Sequence, residues 1–69
     1  MTSVGRDFPR QQERVRHLKE AAVATGDEHR IHFLEGVLHR AAQAQSSGDV
    51  LRLLASYNEL VEVEEGATP

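Results

Sequence analysis

The residues best suited to chemistry lie in one stretch, GDEHRIHFLEGVLHR, at positions 26–40. It holds three of the chain's four histidines together with three carboxylates. On a helix that advances about 100° per residue, four of these side chains form one stripe, within about 60° of one another. The stripe consists of Glu28, His32, Glu35 and His39. Histidine and carboxylate one turn apart can converge on a metal ion, so the stretch could be a metal or acid/base site.

The alternative is that the stripe is the solvated side of a helix, and the sequence favours it. The stripe lies opposite the apolar residues of the same helix and has no buried partners to orient its imidazole rings. The HExxH zinc motif is absent, because His29 and His32 are three residues apart and have no glutamate between them. We therefore predict no metal site and no cofactor.

Other catalytic arrangements have little support. The chain has no cysteine, which excludes thiolate nucleophiles, thiolate metal ligands and disulfides. Most serines and threonines sit at expected helix ends, where capping explains them, and no Gly-x-Ser-x-Gly motif accompanies them. The five glycines are dispersed, so there is no phosphate-binding loop. The sequence therefore predicts a protein that is not an enzyme.

The net charge of −3 conceals a difference between the two ends of the chain. Residues 6–19 carry five basic residues and two acids, whereas residues 49–65 carry five acids and one arginine. Arg10, Arg14 and His17 lie on one side of the first helix and could follow phosphates. No aromatic side chain is interleaved for base stacking, and the last helix is acidic. A small helical nucleic-acid-binding regulator is therefore the alternative function.

Two similar junctions define the elements that position these residues. Thr25-Gly26-Asp27 and Ser47-Gly48-Asp49 each place a helix-ending glycine before an aspartate that can cap the next helix. Pro9 suits a first helical turn. We predict helices over about 9–25, 28–46 and 50–64, in a single domain spanning 1–69 whose flexible ends lie at about 1–7 and 66–69.

The apolar faces of these helices predict an all-α fold. The second and third helices form an antiparallel hairpin, since each has a continuous apolar stripe and the link is short. The first helix is looser, because only Val15 and Leu18 are large apolar residues on its inner edge. Leu51 and Val63 fall outside the stripe of the third helix. The residues expected to hold the hairpin are Ile31, Leu34, Leu38, Leu53, Leu54, Tyr57 and Leu60.

The predicted function is binding. A chain of 69 residues buries only about 60% of its unfolded surface, so association is an inexpensive source of further buried area. We expect a homodimeric helical bundle that docks on a larger regulatory protein or enzyme as an inhibitor or adaptor. It has neither an apolar leader nor a span of about 20 apolar residues, so we expect no membrane partner and a cytoplasmic location. The expected contact residues are Arg10, Arg14, Leu18, Phe33, Val37 and Leu51.

Overall fold

A computed structural model of the chain describes residues 4–65. The regular structure in this range is α-helical, in three packed helices: α1 (Val4–Thr25), α2 (Glu28–Ser47) and α3 (Val50–Glu62). Each connection is two residues long, so consecutive helices run antiparallel and α1 runs parallel to α3. The predicted all-α class is confirmed, and the predicted ends at 46 and 64 differ from the observed ends by one and two residues.

Both connections turn at the glycine that the sequence indicated. Gly26 has a φ of 74° and Gly48 a φ of 70°, in the left-handed region that favours glycine. At the first junction the Asp27 amide donates to the Ala22 carbonyl at 3.0 Å, and the Gly26 amide donates to the Val23 carbonyl at 3.1 Å. This pair of hydrogen bonds is a Schellman C-cap, which ends α1.

The aspartate after each glycine begins the next helix. Asp27 accepts a hydrogen bond from the Arg30 amide at 3.2 Å, and Asp49 accepts one from the Leu51 amide at 2.9 Å. Each carboxylate satisfies an amide that has no partner within its helix. The predicted caps are therefore confirmed, and α2 and α3 start where the sequence places them.

The start of α1 differs from the prediction. The sequence predicts a start near Pro9, but the helix begins at Val4 and holds Pro9 in its second turn. Proline there leaves the Gly5 carbonyl without its usual amide donor. The extra turn forms nevertheless, because Phe8 is buried to 1% exposure and Val4 packs against the same core.

This earlier start overlaps one of the predicted flexible ends. The expected flexible segment at about 1–7 includes residues 4–7, which are the first turn of α1. Residues 1–3 and the expected flexible end at 66–69 lie outside the described residues.

The core lies between all three helices. Its largest fully buried side chains are Phe8, Val15, Leu34, Val37 and Leu60. Two of the five come from α1, so the expectation that this helix buries little, on which its predicted looseness rested, is wrong. The physical reason is Phe8, which lies before the predicted start of α1 and is therefore missing from the apolar residues expected on that helix.

A polar pair also joins α1 to α2, with Gln12 buried and Gln45 exposed. The Gln12 side chain is 8% exposed, and its amide donates to the Gln45 side-chain oxygen at 3.2 Å. Buried amides need such partners, so this bond favours one register of the two helices. None of the helices within residues 4–65 is long and apolar enough to cross a membrane.

Candidate functional site

The histidine and glutamate stripe of α2 lies on the solvent side, as predicted. The His32 side chain is 78% exposed, and its Nδ1 atom lies 3.8 Å from Glu35. Lys19 of α1 reaches the same carboxylate at 3.6 Å. In the part of the chain that the structure describes, no three histidine, aspartate or glutamate side chains are grouped so that they could hold a metal ion. The stripe is thus a solvated surface, and its exposed pair with Lys19 contributes at most about 1 kcal/mol.

Three of the predicted contact residues lie on the surface. The Arg10 side chain is 82% exposed, Leu51 is 78% exposed and Phe33 is 49% exposed. Leu18 is half-buried against the core. Val37 is fully buried, so it belongs to the core and offers a partner no surface in this conformation.

Arg14, also predicted as a contact residue, caps the end of α3. Its Nη2 atom donates to the carbonyls of Leu60 at 2.8 Å and Val63 at 3.0 Å. Its Nη1 atom pairs with Glu65, and its Nε atom donates to the Gln11 side chain at 2.9 Å. The guanidinium is therefore largely committed within the chain.

A second arginine holds the same segment. Arg30 of α2 donates from Nη2 to the Glu64 carbonyl at 2.7 Å. The last turn of α3 has no basic residue of its own. Helix ends leave carbonyls that need donors, so this lack is the sequence signal that donors come from elsewhere. Sequence reasoning missed it.

An exposed apolar surface lies on α3, which carries four of the six exposed large apolar side chains among the described residues. We call it the α3 face: Val50, Leu51, Leu54, Tyr57 and Val61. Val50 is 67% exposed, Leu51 78%, Leu54 40% and Val61 45%, while Tyr57 is half-buried. All but Leu51 fall within about 60° on the helical wheel, and Leu51 lies at the outer edge. The chain thus exposes large apolar side chains along the whole length of one helix.

This orientation of α3 corrects part of the hairpin prediction. Leu34 and Leu60 are fully buried as predicted, whereas Leu54 is exposed and Val63, expected outside the stripe, is buried. The reason is that α3 packs into the groove between α1 and α2, and not against α2 alone. Its buried side therefore includes Ser56, at 6% exposure. The other predicted hairpin residues lie half-buried against the core: Ile31, Leu38, Leu53 and Tyr57.

Ser56 lies beside an open groove between α2 and α3. The groove has a volume of about 430 Å³, and polar and small side chains line it: Arg40, Gln43, Ala44, Arg52, Ala55, Ser56 and Glu59. The Ser56 hydroxyl is buried and has no hydrogen-bond partner. Since that oxygen lies beneath the accessible surface, the groove presents to a ligand its flexible charged side chains and little fixed geometry.

An ion pair closes one side of this groove. Arg40 donates to the Glu59 carboxylate from Nε at 3.0 Å and from Nη2 at 2.8 Å. These hydrogen bonds to Glu59 raise the pKa of the Arg40 guanidinium above its usual range. Gly36 makes room for it, since a Cβ there would lie 3.2 Å from Arg40 Nη1. The pair links α2 to α3.

A polar contact between α1 and α3 borders the α3 face. The Tyr57 hydroxyl donates to the Asp7 carboxylate at 2.6 Å, and Gln11 donates to the same oxygen at 3.2 Å. The hydrogen bond from Tyr57, and then the one from Gln11, hold the pKa of Asp7 below its ordinary value, while the bond to Asp7 raises the pKa of Tyr57. The Tyr57 ring stacks on Phe8 with centroids 6.4 Å apart.

Comparisons with protein-family models, with curated proteins and with solved structures gave no match.

Proposed function

We propose that this protein is a small, non-enzymatic protein-binding module of the cytoplasm, a homodimer that acts as an inhibitor or adaptor by docking on a larger regulatory protein or enzyme. The observation that supports the proposal is the α3 face. Scattered exposed apolar residues are ordinary on soluble proteins, but a continuous row along a helix is typical of interaction surfaces.

The α3 face has the properties of a helix that binds in a groove. Apart from the adjacent Val50 and Leu51, its members recur every three or four residues, which is the anchor spacing of an amphipathic helix laid into a partner. None of its members is charged, so docking removes no ion from water there. Of the contact residues predicted from sequence, Leu51 belongs to this face.

Two other predicted contacts lie outside the α3 face. Phe33 borders a separate shallow groove near the end of α3, together with Arg30, Glu62, Val63 and Glu64. Arg10 is exposed on α1, 3.9 Å from Asp7. We propose them as secondary contacts, because each could touch a large partner beside the α3 face. Leu18 stays a proposed contact only at its exposed edge.

The nucleic-acid alternative has less support. It depends on a row of free cations along α1, but Arg14 caps α3. Arg16 pairs with Glu13 at 3.0 Å, and His17 lies 3.2 Å from the same glutamate. Glu13 on α1 and Glu65 after α3 thus take up much of the basic charge that phosphates would need.

An affinity capture with matched variants tests the proposed function. Leu51→Glu combined with Leu54→Glu adds two charges to the α3 face, three residues apart. His39→Glu combined with Gln43→Glu adds two charges to the exposed side of α2. Each immobilised chain is incubated with lysate of its host, and the bound proteins are identified by mass.

The proposal expects a distinct larger protein on the wild-type chain and on the α2 variant, and its absence from the α3-face variant. Equal capture by both variants would contradict the proposal, as would capture of nothing above the level of a blank resin. Salt-sensitive binding to generic duplex DNA, with no dependence on the α3 face, would favour the nucleic-acid alternative.

A further inference from the structure

The spacing within the α3 face points to its occupant. Val50, Leu54, Tyr57 and Val61 are separated by four, three and four residues. This is the alternation of an a/d seam, the pattern by which two helices pack along their length. We propose that the α3 face binds the α3 face of a second copy of this chain, in an antiparallel two-fold pair. The inference rests on the proposed function, whose binding surface it assigns to a defined partner.

The spacing reads the same in both directions, which suits a two-fold axis. In such an interface each contact occurs twice, because the same patch is used by both copies. An antiparallel pairing centred between Ala55 and Ser56 sets Val50 of one copy opposite Val61 of the other. It also sets Leu54 of each copy opposite Tyr57 of the other. All four seam positions thus find an apolar partner, and none is left over.

The charge at the end of α3 favours the antiparallel direction over the parallel one. Glu62, Glu64 and Glu65 follow the seam. A parallel pair would hold these acids of the two copies side by side. An antiparallel pair separates them by the length of α3, about 18 Å, which exceeds the ~8 Å Debye length at physiological salt.

The start of α3 is complementary to these acids. Arg52 lies in its first turn, and the N-terminal end of a helix carries the positive end of its dipole. Asp49, which precedes this turn, caps the helix by accepting from the Leu51 amide. Antiparallel pairing therefore brings the acidic end of each α3 to the positive N-terminal end of the other.

The absence of cysteine permits a direct test of the pairing. Val50→Cys and Val61→Cys are prepared separately, one of them with a mass tag, and oxidised alone or as an equal mixture. A mixture of His39→Cys and Gln43→Cys measures random collision on the exposed side of α2.

The antiparallel pair predicts a mixed disulfide between Val50→Cys and Val61→Cys, several-fold above the α2 control, and little dimer from either variant alone. A disulfide that forms as well from Val50→Cys alone would overturn the antiparallel direction. Cross-linking no greater than in the α2 control would overturn the pairing.

Sedimentation velocity over a wide concentration range supplies a second measurement that needs no cysteine. The wild-type chain and a Gln43→Glu control should sediment faster as concentration rises, while Leu54→Glu should stay monomeric. A wild-type chain that is monomeric throughout would overturn self-pairing. The homodimer would then be excluded, but docking on a larger protein would still hold if capture of that protein depended on the α3 face, so the two failures are distinguishable.

Discussion

The first and third helices of this protein use their apolar residues in opposite ways. α1 is rich in charged side chains, yet it buries Phe8 and Val15 completely. α3 has more apolar residues per turn, yet it leaves Leu51 and Leu54 at the surface. Apolar content therefore does not show which helix is more deeply embedded in this fold.

Polar contacts account for part of the difference. α1 is attached to α3 by the hydrogen bond from Tyr57 to Asp7 and by the Arg14 cap, and to α2 by the pair of Gln12 and Gln45. These contacts dock a helix with a narrow apolar edge. The surplus apolar residues of α3 have no such use within the chain, which is why we assign them to binding.

The largest expected effect is the difference in stability loss between a substitution in α1 and one in α3. Phe8→Ala should lower the free energy of unfolding by about 3–5 kcal/mol, because it removes a buried aromatic ring from the core. Leu51→Ala should change it by no more than about 0.5 kcal/mol, because that side chain is exposed. Urea unfolding of dilute protein, followed by circular dichroism, measures both. Similar losses in the two variants would show that the comparison between α1 and α3 is wrong.

The next effect concerns the polar attachment of α1. Arg14→Met keeps the aliphatic stem and removes the donors that satisfy the carbonyls at the end of α3. We expect a loss of about 1–3 kcal/mol in unfolding free energy. Arg10→Met is the matched control on the same helix and should cost almost nothing. Equal stability of the two variants would mean that the α3 carbonyls are satisfied by water as well as by Arg14.

A smaller effect tests the ion pair of Arg40 and Glu59, which links α2 to α3. Gly36→Ala should raise the unfolding free energy by up to about 1 kcal/mol through helix propensity, reduced by whatever the displaced pair of Arg40 and Glu59 contributes. Repeating the change in an Arg40→Met background removes that competition and should restore the full gain. A net loss greater than about 1 kcal/mol for Gly36→Ala alone would show that the pair contributes more than an exposed ion pair usually does.

The subtlest effect is a pH dependence at the border of the α3 face. The pKa of Asp7 lies below its ordinary 3.8, so its contribution is present above that value and is lost as pH falls through the lowered pKa. The pKa of Tyr57 lies above its ordinary 10.0, so its contribution is present below that value and is lost as pH rises through the raised pKa.

Tyr57→Phe keeps the stacked ring and removes the hydroxyl, so it isolates this effect. The stability difference between wild type and variant should be constant from about pH 5 to pH 9 and should shrink at both extremes. Urea unfolding across the pH range measures it. A difference that does not change with pH would show that the hydrogen bond from Tyr57 to Asp7 contributes nothing to stability.

Local signals made the helix junctions predictable. Gly26 and Gly48, each followed by an aspartate, determine where the helices end and begin through contacts within a few residues. The start of α1 was not predictable in this way, because Phe8 finds its partner Tyr57 about fifty positions away. Pro9 resembles a helix start locally, and only the tertiary contact shows that the helix extends beyond it.

The candidate site was harder to predict than the helices. When the faces of α3 are assigned with α2 as its single neighbour, Leu54 is expected in the core and Val63 at the surface. In the structure α3 packs against two helices, so Leu54 is exposed and Val63 is buried. Leu51 was recognised as a surplus apolar residue, since it falls outside any reasonable inner stripe. The role of Arg14 depends on where the C-terminal end of α3 lies in the fold. No spacing of residues in the sequence predicts that position.

The central claim is that the α3 face serves binding and not folding, and the concentration dependence of urea unfolding tests it most directly. The wild-type midpoint should rise with protein concentration, because association stabilises only the folded chain. Leu51→Glu combined with Leu54→Glu should unfold at the midpoint of the dilute wild-type protein, at every concentration. A variant midpoint far below that of the dilute wild type, or a variant that still gains stability with concentration, would contradict the account.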